Sequence, residues 1–306
     1  MGLTRRIRHI FHPLKRIILY ENGIAPILYR FCCRLHLIKP EIIVYVDGGI
    51  CSQMHQYLLG RYYSELGYNV SYNLAWYRRN GKDKDGVHPR FFELTDMWPA
   101  AEFKVADKSV PFYASHFPVR RNGMHFPLEI YPPAYLNGYY SFDDNLLYRA
   151  LFQRYFSLDK VVKTVKTRVV EEWEGTKCAI HVRRGDLAKM NDVFYGRVSV
   201  DYFRKAIDLI GKRYDNIKLF IFSDGFDWVE KELASYYSSY PHELVKGNLA
   251  FEDLTMMAKC DCFISSQGSA GKFAAMINGR GLLIVGSDQH DAIWKERYQN
   301  TVILDT

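Results

Sequence analysis

The chain has 306 residues, is 48% hydrophobic and 15% aromatic, and carries a formal net charge of +7. That length accommodates two core-forming units or one large domain. Residues 1–40 hold eight Lys or Arg against one acid, Glu21, leaving 33 basic and 33 acidic residues elsewhere, so a nucleic-acid-binding surface spread over the body is excluded.

In the basic arm, Ile7, Ile10, Phe11, Leu14, Ile17 and Ile18 recur at helical spacing, with Pro13 breaking the pattern at its middle. A second stripe, Ile24, Ile27, Leu28, Phe31 and Leu35, follows Asn22-Gly23. Neither stretch reaches the roughly 18 apolar residues of a membrane span, and no small-residue cleavage site marks a signal peptide. Two readings stand open: a peripheral arm drawn to anionic lipid, or a basic helical hairpin packed on the body. The six cysteines lack a C-x-x-C spacing, so zinc is not expected, and reduced thiols in a cytoplasmic protein are.

Residues 42–47 (IIVYVD) read as a strand and GGICS as a turn. Met54, Tyr57, Leu58, Tyr62 and Leu66 form one helix face, and YNVSYNL a second strand. Residues 78–140 are loop-rich, with seven of the eleven prolines, and include the charged run RRNGKDKDG. Helical character returns over 142–174, and EGTK marks a boundary near 175. From there the chain alternates. Strands are expected at 177–182, 217–222, 243–246, 261–265 and 282–285, with helices between them, the first capped by Ser199. The expected organisation is therefore an arm (1–40), a first domain (41–174) and a second, Rossmann-like domain (175–306), both α/β with parallel strands. Two Rossmann-like units would leave an interdomain cleft at the C-terminal ends of their strands.

Three of those strand ends are polar. The first is IHVRRGD (180–186), where alternation sends Arg183 to the face of His181. Arg183 and Arg184 emerge where such sheets bind ligands, and a guanidinium there can make bidentate hydrogen bonds to phosphate. Asp186 can orient an arginine. The second strand delivers Ser223 and Asp224, and a later one delivers Ser265, Ser266 and Gln267 before a helix N-terminus, a setting suited to an anion.

These strings, HVRRGD, FSDG and EDLTMMAKCDCFISSQGSAGKFAA, resemble the three C-terminal motifs of glycosyltransferase family 11, the α-1,2-fucosyltransferases, and the wider fucosyltransferase superfamily. Upstream, DGGICSQMHQYLLGRYYSELGYNV is similar to that family's GG-x-GNQ signature and LNGYYSFDDNLL to its GYFQS segment. The resemblance runs from about 46 to 290. It implies a GT-B enzyme that binds a GDP-sugar in its second domain and needs no metal or other cofactor. The donor residues so implied are His181, Arg183, Arg184, Ser223, Asp224, Asp253 (on guanine), Ser265, Ser266 and Gln267. Gly48, Gly49, Ser52 and Gln53 fall on the acceptor and sugar side. The catalytic candidates are Arg183, for the departing diphosphate, and Asp186 or His55 for the base. The only simple D-x-D, Asp83-Lys84-Asp85, lies in a lysine-rich loop and reads as solvated.

The sequence departs from the family at Cys51, Ser52 and His55, and SSQGSAGKFAA replaces a tryptophan-containing run. The resemblance implies an inverting transfer of L-fucose from GDP-fucose to a hydroxyl, O2, of a galactoside, on an oligosaccharide or lipid-linked acceptor for a bacterial surface glycan such as O-antigen. The setting would be the inner face of the cytoplasmic membrane, contacted through residues 1–40. The departures leave open another GDP-sugar, such as GDP-colitose, and an inactive nucleotide- or glycan-binding homologue.

Overall fold

The computed structural model describes residues 31–37, 40–79, 81–82, 89–106, 119–120, 124–126, 130, 132, 134–136, 140–162, 167–184, 199–266, 268–286 and 289–305. Residues 1–30 of the arm, the Asp83-Lys84-Asp85 run, Asp186 and Gln267 lie outside these. The chain divides into two compact units, the first formed by residues 1–47, 52–81 and 102–143, the second by 48–51, 82–101 and 144–306.

In the first unit, β1 (Glu41–Tyr45) pairs in parallel with β2 (Asn69–Asn73) and with β5 (Ala134–Leu136), and β5 pairs in parallel with β3 (Val119–Arg120). Ile42, Ile43 and Val44 are all buried, as expected of a β-branched strand covered on both faces. A separate parallel pair joins β4 (Met124–Phe126) to β6 (Tyr140–Phe142). Strands β3, β4 and β5 lie in the 78–140 stretch that reads from sequence as loop, and β6 crosses its end into residues read as helical. At two or three residues each, they carry too few positions for a period-2 pattern to show. Helix α1 (Ile50–Glu65) follows β1. A Cβ on Gly60 would stand 2.3 Å from Tyr72 Oη, so only glycine lets the helix lie this close over β2. Within the described end of the arm, Cys33 packs against Ile43 and Tyr135, while Phe31, Leu35 and Leu37 are exposed.

The second unit is built on a six-stranded sheet in the order β12-β11-β10-β7-β8-β9. Its strands are β7 (Thr176–Val182), β8 (Ile217–Ser223), β9 (His242–Val245), β10 (Cys262–Ser265), β11 (Leu282–Gly286) and β12 (Thr301–Leu304). All neighbouring pairs are parallel. Numbered within the unit this is the Rossmann order 3-2-1-4-5-6, with the topological switch between β7 and β10. β12 is not among the strands expected from sequence, because a four-residue run at the chain end looks like any apolar tail until it pairs with β11.

Helix α2 (Leu94–Met97) and helix α3 (Asn145–Tyr155) also belong to this unit. The remaining helices used below are α4 (Val200–Arg213), α5 (Phe226–Glu232), α6 (Ala250–Ala258), α7 (Ala270–Asn278) and α8 (Gln289–Arg297). Ser199 caps α4 as its spacing predicts, its Oγ accepting from Tyr202 N at 3.1 Å. One face of the sheet buries Ile180, Val182, Leu219, Ile221 and Ile264 against Phe203, Ile207 and Ile210 of α4. On α4, the buried Tyr202 hydroxyl lies 2.8 Å from Ser265 O and 2.9 Å from Ile284 O, tying the ends of β10 and β11. The described residues contain no helix long and apolar enough to cross a membrane.

Tyr202→Phe removes that hydroxyl and leaves two strand-end carbonyls without it. Urea unfolding is expected to show a loss of about 1–2 kcal/mol.

Candidate functional site

The switch point gathers the polar strand ends. His181 and Ser265 are register partners across β7 and β10, and the backbone continues the tie, Ser266 N donating to His181 O at 3.0 Å. Arg183 N donates to Ser266 Oγ at 2.8 Å. On the other side of β7, Ser223 Oγ donates to Val182 O and accepts from Gly225 N, both at 2.9 Å, closing the turn after β8. Asp224 then accepts from the Arg183 guanidinium and, at 2.6 Å, from Arg184 N. One carboxylate thus orients the cation and the backbone that carries it.

The two adjacent arginines part company. Arg183 lies toward α7, its Cγ 3.8 Å from where a Cβ on Gly268 would stand, whereas the Arg184 guanidinium stacks 3.8 Å over the Trp228 ring of α5. Alternation at a strand end sends the neighbours Arg183 and Arg184 to opposite faces. Gly271, in the first turn of α7, lets that helix press against the strand ends, since a Cβ there would stand 2.8 Å from Ser265 Oγ and 3.1 Å from His181 Cβ.

His181 is held neutral. Burial lowers its pKa from 6.5 to about 4, the Asp224 carboxylate opposes that shift, and Arg183 and Lys272 add to it. Its Nδ1 has no hydrogen-bond partner among the described residues. Lys272 is itself only 4% exposed, in the first turn of α7, with its ammonium 5.7 Å from the Trp294 ring centroid. A cation at that end of a helix opposes the dipole, as does the nearby Arg183, so the neighbourhood is electropositive.

Asp253 stands in the first turn of α6, where it accepts from Asn248 Nδ2 at 2.8 Å. Helix α6 runs back along the sheet between β9 and β10, so its N-terminus is at the same end as Arg183. Gly48 and Gly49 group with this unit, while Ser52, Gln53 and His55 belong to the first. There Gln53 is fully buried, and His55 meets the Phe142 ring edge-on at 5.5 Å.

Three residues are absent from the sequence-level site. Glu93, 6% exposed, accepts from Ala250 N at 3.1 Å at the start of α6, and burial raises its carboxyl pKa against the pull of the Phe251 and Ala250 amides. Arg90 Nη1 is 3.8 Å from a Cβ position on Gly49. Cys51, beside them, is pushed up to about 12 by burial, against the fields of Arg183 and Arg90, and so remains a thiol. Glu93 and Ala250 are 157 residues apart in the chain, and no local motif could reveal their meeting. Among the described residues no group of three His, Cys, Asp or Glu side chains could hold a metal ion, and all six cysteines are free.

A parallel sheet in Rossmann order with hydroxyls, a cation and two helix N-termini at its switch point is a ligand-binding α/β unit. The sequence matches glycosyl transferase family 11 over residues 120–301, more than half of the chain, and the protein belongs to that family. It is thus a glycosyltransferase, and the α/β class with two parallel-sheet units is the one expected from the sequence. Several solved structures are similar. A family 9 glycosyl transferase from Veillonella parvula shares 11% identity over 88% of each chain, with a TM-score of 0.47. The E. coli ADP-heptose lps heptosyltransferase II shares 10% identity over 86% of this chain and 90% of that one, at 0.48. POFUT1 in complex with GDP shares 10% over 80% and 98%, at 0.44. No curated protein matches the sequence.

The neutral state of His181 has a consequence for stability. In the unfolded chain the imidazole titrates near 6.5, in the fold near 4, so its contribution is present above pH 6.5 and is lost as pH falls toward 4. Between pH 7 and pH 5 the wild type is expected to lose about 2 kcal/mol more than His181→Gln in denaturant unfolding. Parallel losses in the two proteins would mean that His181 charges freely in the fold.

Proposed function

We propose that the protein is an inverting, GDP-L-fucose-dependent transferase, with the nucleotide bound at the C-terminal ends of β7, β8 and β10. The observation that carries this reading is the Arg183 arrangement. A guanidinium at the switch point has its backbone amide fixed by Ser266 and its side chain by Asp224. As the glycosidic bond breaks, negative charge gathers on the diphosphate, and a cation already in place stabilises that charge more in the transition state than in the ground state. In this reading Arg183 supplies what a metal supplies elsewhere, so no metal is required. Asp224 acts by holding Arg183 and the Arg184 amide, and Arg184 by stacking on Trp228. His181 is a neutral imidazole against the nucleotide, and Ser265, Ser266 and Gln267 lie along the diphosphate and ribose. Asp253 accepts from the guanine edge.

The acceptor is read as a galactoside hydroxyl, O2, of a lipid-linked or oligosaccharide glycan, its proton taken by Asp186 or His55. The basic arm would hold the enzyme at the cytoplasmic face of the membrane. The family membership supports a glycosyl transfer of this class.

Incubation with GDP-fucose and related GDP-sugars, and a panel of Gal- and GalNAc-terminated acceptors, with products read by mass, is expected to show one added deoxyhexose. A different increment would identify another donor sugar, and no increment with any donor would mean an inactive homologue. Arg183→Ala is expected to lose transfer by at least about 100-fold with an unchanged unfolding midpoint, and unchanged turnover would refute its role. Asp253→Ala is expected to weaken GDP binding in a titration by about 10-fold, an equal affinity counting against the guanine contact.

A further inference from the structure

The segment 89–101 lies, in chain order, between two parts of the first unit, yet it is built into the second. Leu94, Met97 and Trp98 are buried, and α2 packs against α6. Trp98 meets the Phe156 ring at 4.5 Å, and Val162 N donates to Met97 O at 2.9 Å. This much order is more than a connecting loop needs.

What the anchored segment delivers is the buried carboxylate of Glu93. Glu93 stands at the N-cap of its own helix, α2, where a polar side chain ordinarily turns back onto the first turn, yet it makes no such bond. The carboxylate accepts instead from Ala250 N, at 3.1 Å, and from the Phe251 amide, the first two residues of α6. Helices α3 and α4 carry caps of their own, Asp144 accepting from Leu147 N and Ser199 from Tyr202 N. The N-cap of α6 is Leu249, whose side chain has no acceptor to offer. Glu252 Oε2 accepts from Leu249 N at 2.8 Å, and Glu93 takes the two amides that follow. The helix dipole favours a carboxylate there. From within the segment, Arg90 favours its ionised form and Asp96 opposes it.

The turn held in this way carries Asp253. Asp253 N donates to Leu249 O at 3.1 Å, closing the first helical turn, and Asn248 Nδ2 donates to Asp253 Oδ1 at 2.8 Å. Fraying at Ala250 and Phe251 would displace the Asp253 carboxylate together with the backbone that bears it.

We propose that Glu93 is a positioning residue for base recognition, capping α6 from the inserted segment and so setting Asp253 where the guanine edge is read. This rests on the GDP-sugar reading above, in which Asp253 accepts from guanine. Residue 93 lies outside the stretch 120–301 that matches the family.

The test is titration of the full-length protein and of its Glu93→Ala, Glu93→Gln, Asp253→Ala and Glu93→Ala/Asp253→Ala variants with GDP and ADP. The purine of ADP lacks the N1–H and 2-amino donors of guanine. Glu93→Ala is expected to weaken GDP by about 5- to 10-fold and ADP by less than about 2-fold. The double variant is expected to bind GDP within about 2-fold of Asp253→Ala alone, because Glu93 acts through Asp253. Glu93→Gln, whose Oε1 still accepts from the α6 amides without the charge, is expected to fall between wild type and Glu93→Ala. Equal losses for GDP and ADP would show that Glu93 supports the fold without directing Asp253. Additive losses in the double variant would show that it acts elsewhere, for instance on Arg90. Either outcome overturns the proposal, as does an unchanged GDP affinity in Glu93→Ala. Should the alanine variant fail to fold, Glu93→Gln decides, an unchanged GDP-to-ADP ratio overturning the proposal. A wild-type protein that binds neither nucleotide, or an Asp253→Ala variant that loses no GDP affinity, overturns the guanine reading and this inference with it. An Asp253 effect without a Glu93 effect removes Glu93 alone.

Discussion

The parallel pairing of β7 with β10 is the contact from which the rest of the second unit takes its form. It places a strand from the start of the unit beside one from its middle, in register from Cys178 with Cys262 to His181 with Ser265. The strands bracketing them then have their connections on opposite sides, and a gap opens at the C-terminal end where no connection crosses. Two hydrogen bonds, Ser266 N to His181 O and Arg183 N to Ser266 Oγ, carry the pairing beyond the last strand residues. A one-residue slip would turn His181 and Arg183 to the opposite face and separate Ser266 from both.

Charge at this gap is arranged around an imidazole kept neutral. Burial pushes the His181 proton off, and Arg183 and Lys272 push in the same direction. Lys272 and the amides at the start of α7 add positive potential from the helix that Gly271 allows to approach. Only Asp224 opposes it among the groups that set the His181 pKa, and Asp224 is engaged with Arg183 and Arg184.

Much of the second unit was legible from the sequence. Five of its six strands and the cap at Ser199 follow from short apolar runs bounded by turn residues and from a hydroxyl before a helical period. The dipeptide Arg183-Arg184 was readable as a strand-end feature, although its division into one oriented cation and one stacked on Trp228 was not, because the partner carboxylate comes from the turn after β8 and the partner ring from α5. In the first unit, β1, α1 and β2 were legible for the same reason, while the two- and three-residue strands β3 to β6 were hidden in proline-rich stretches. Gln56, whose amide exchanges hydrogen bonds with Asp47 N and Oδ1 at 3.0 and 2.7 Å, carried no motif signal of its own.

By itself the sequence determined the alternation of strand and helix, the confinement of net positive charge to the first 40 residues, and the glycosyltransferase family, because these depend on composition, local periodicity and short strings. Tertiary structure alone decided the strand order 3-2-1-4-5-6, the inclusion of the 89–101 segment in the second unit, and the meeting of Glu93 with Ala250 N at the start of α6. The physical reason is that strand order and inter-element charge contacts are set by which buried surfaces meet, and residues far apart in the chain leave no local trace of that meeting.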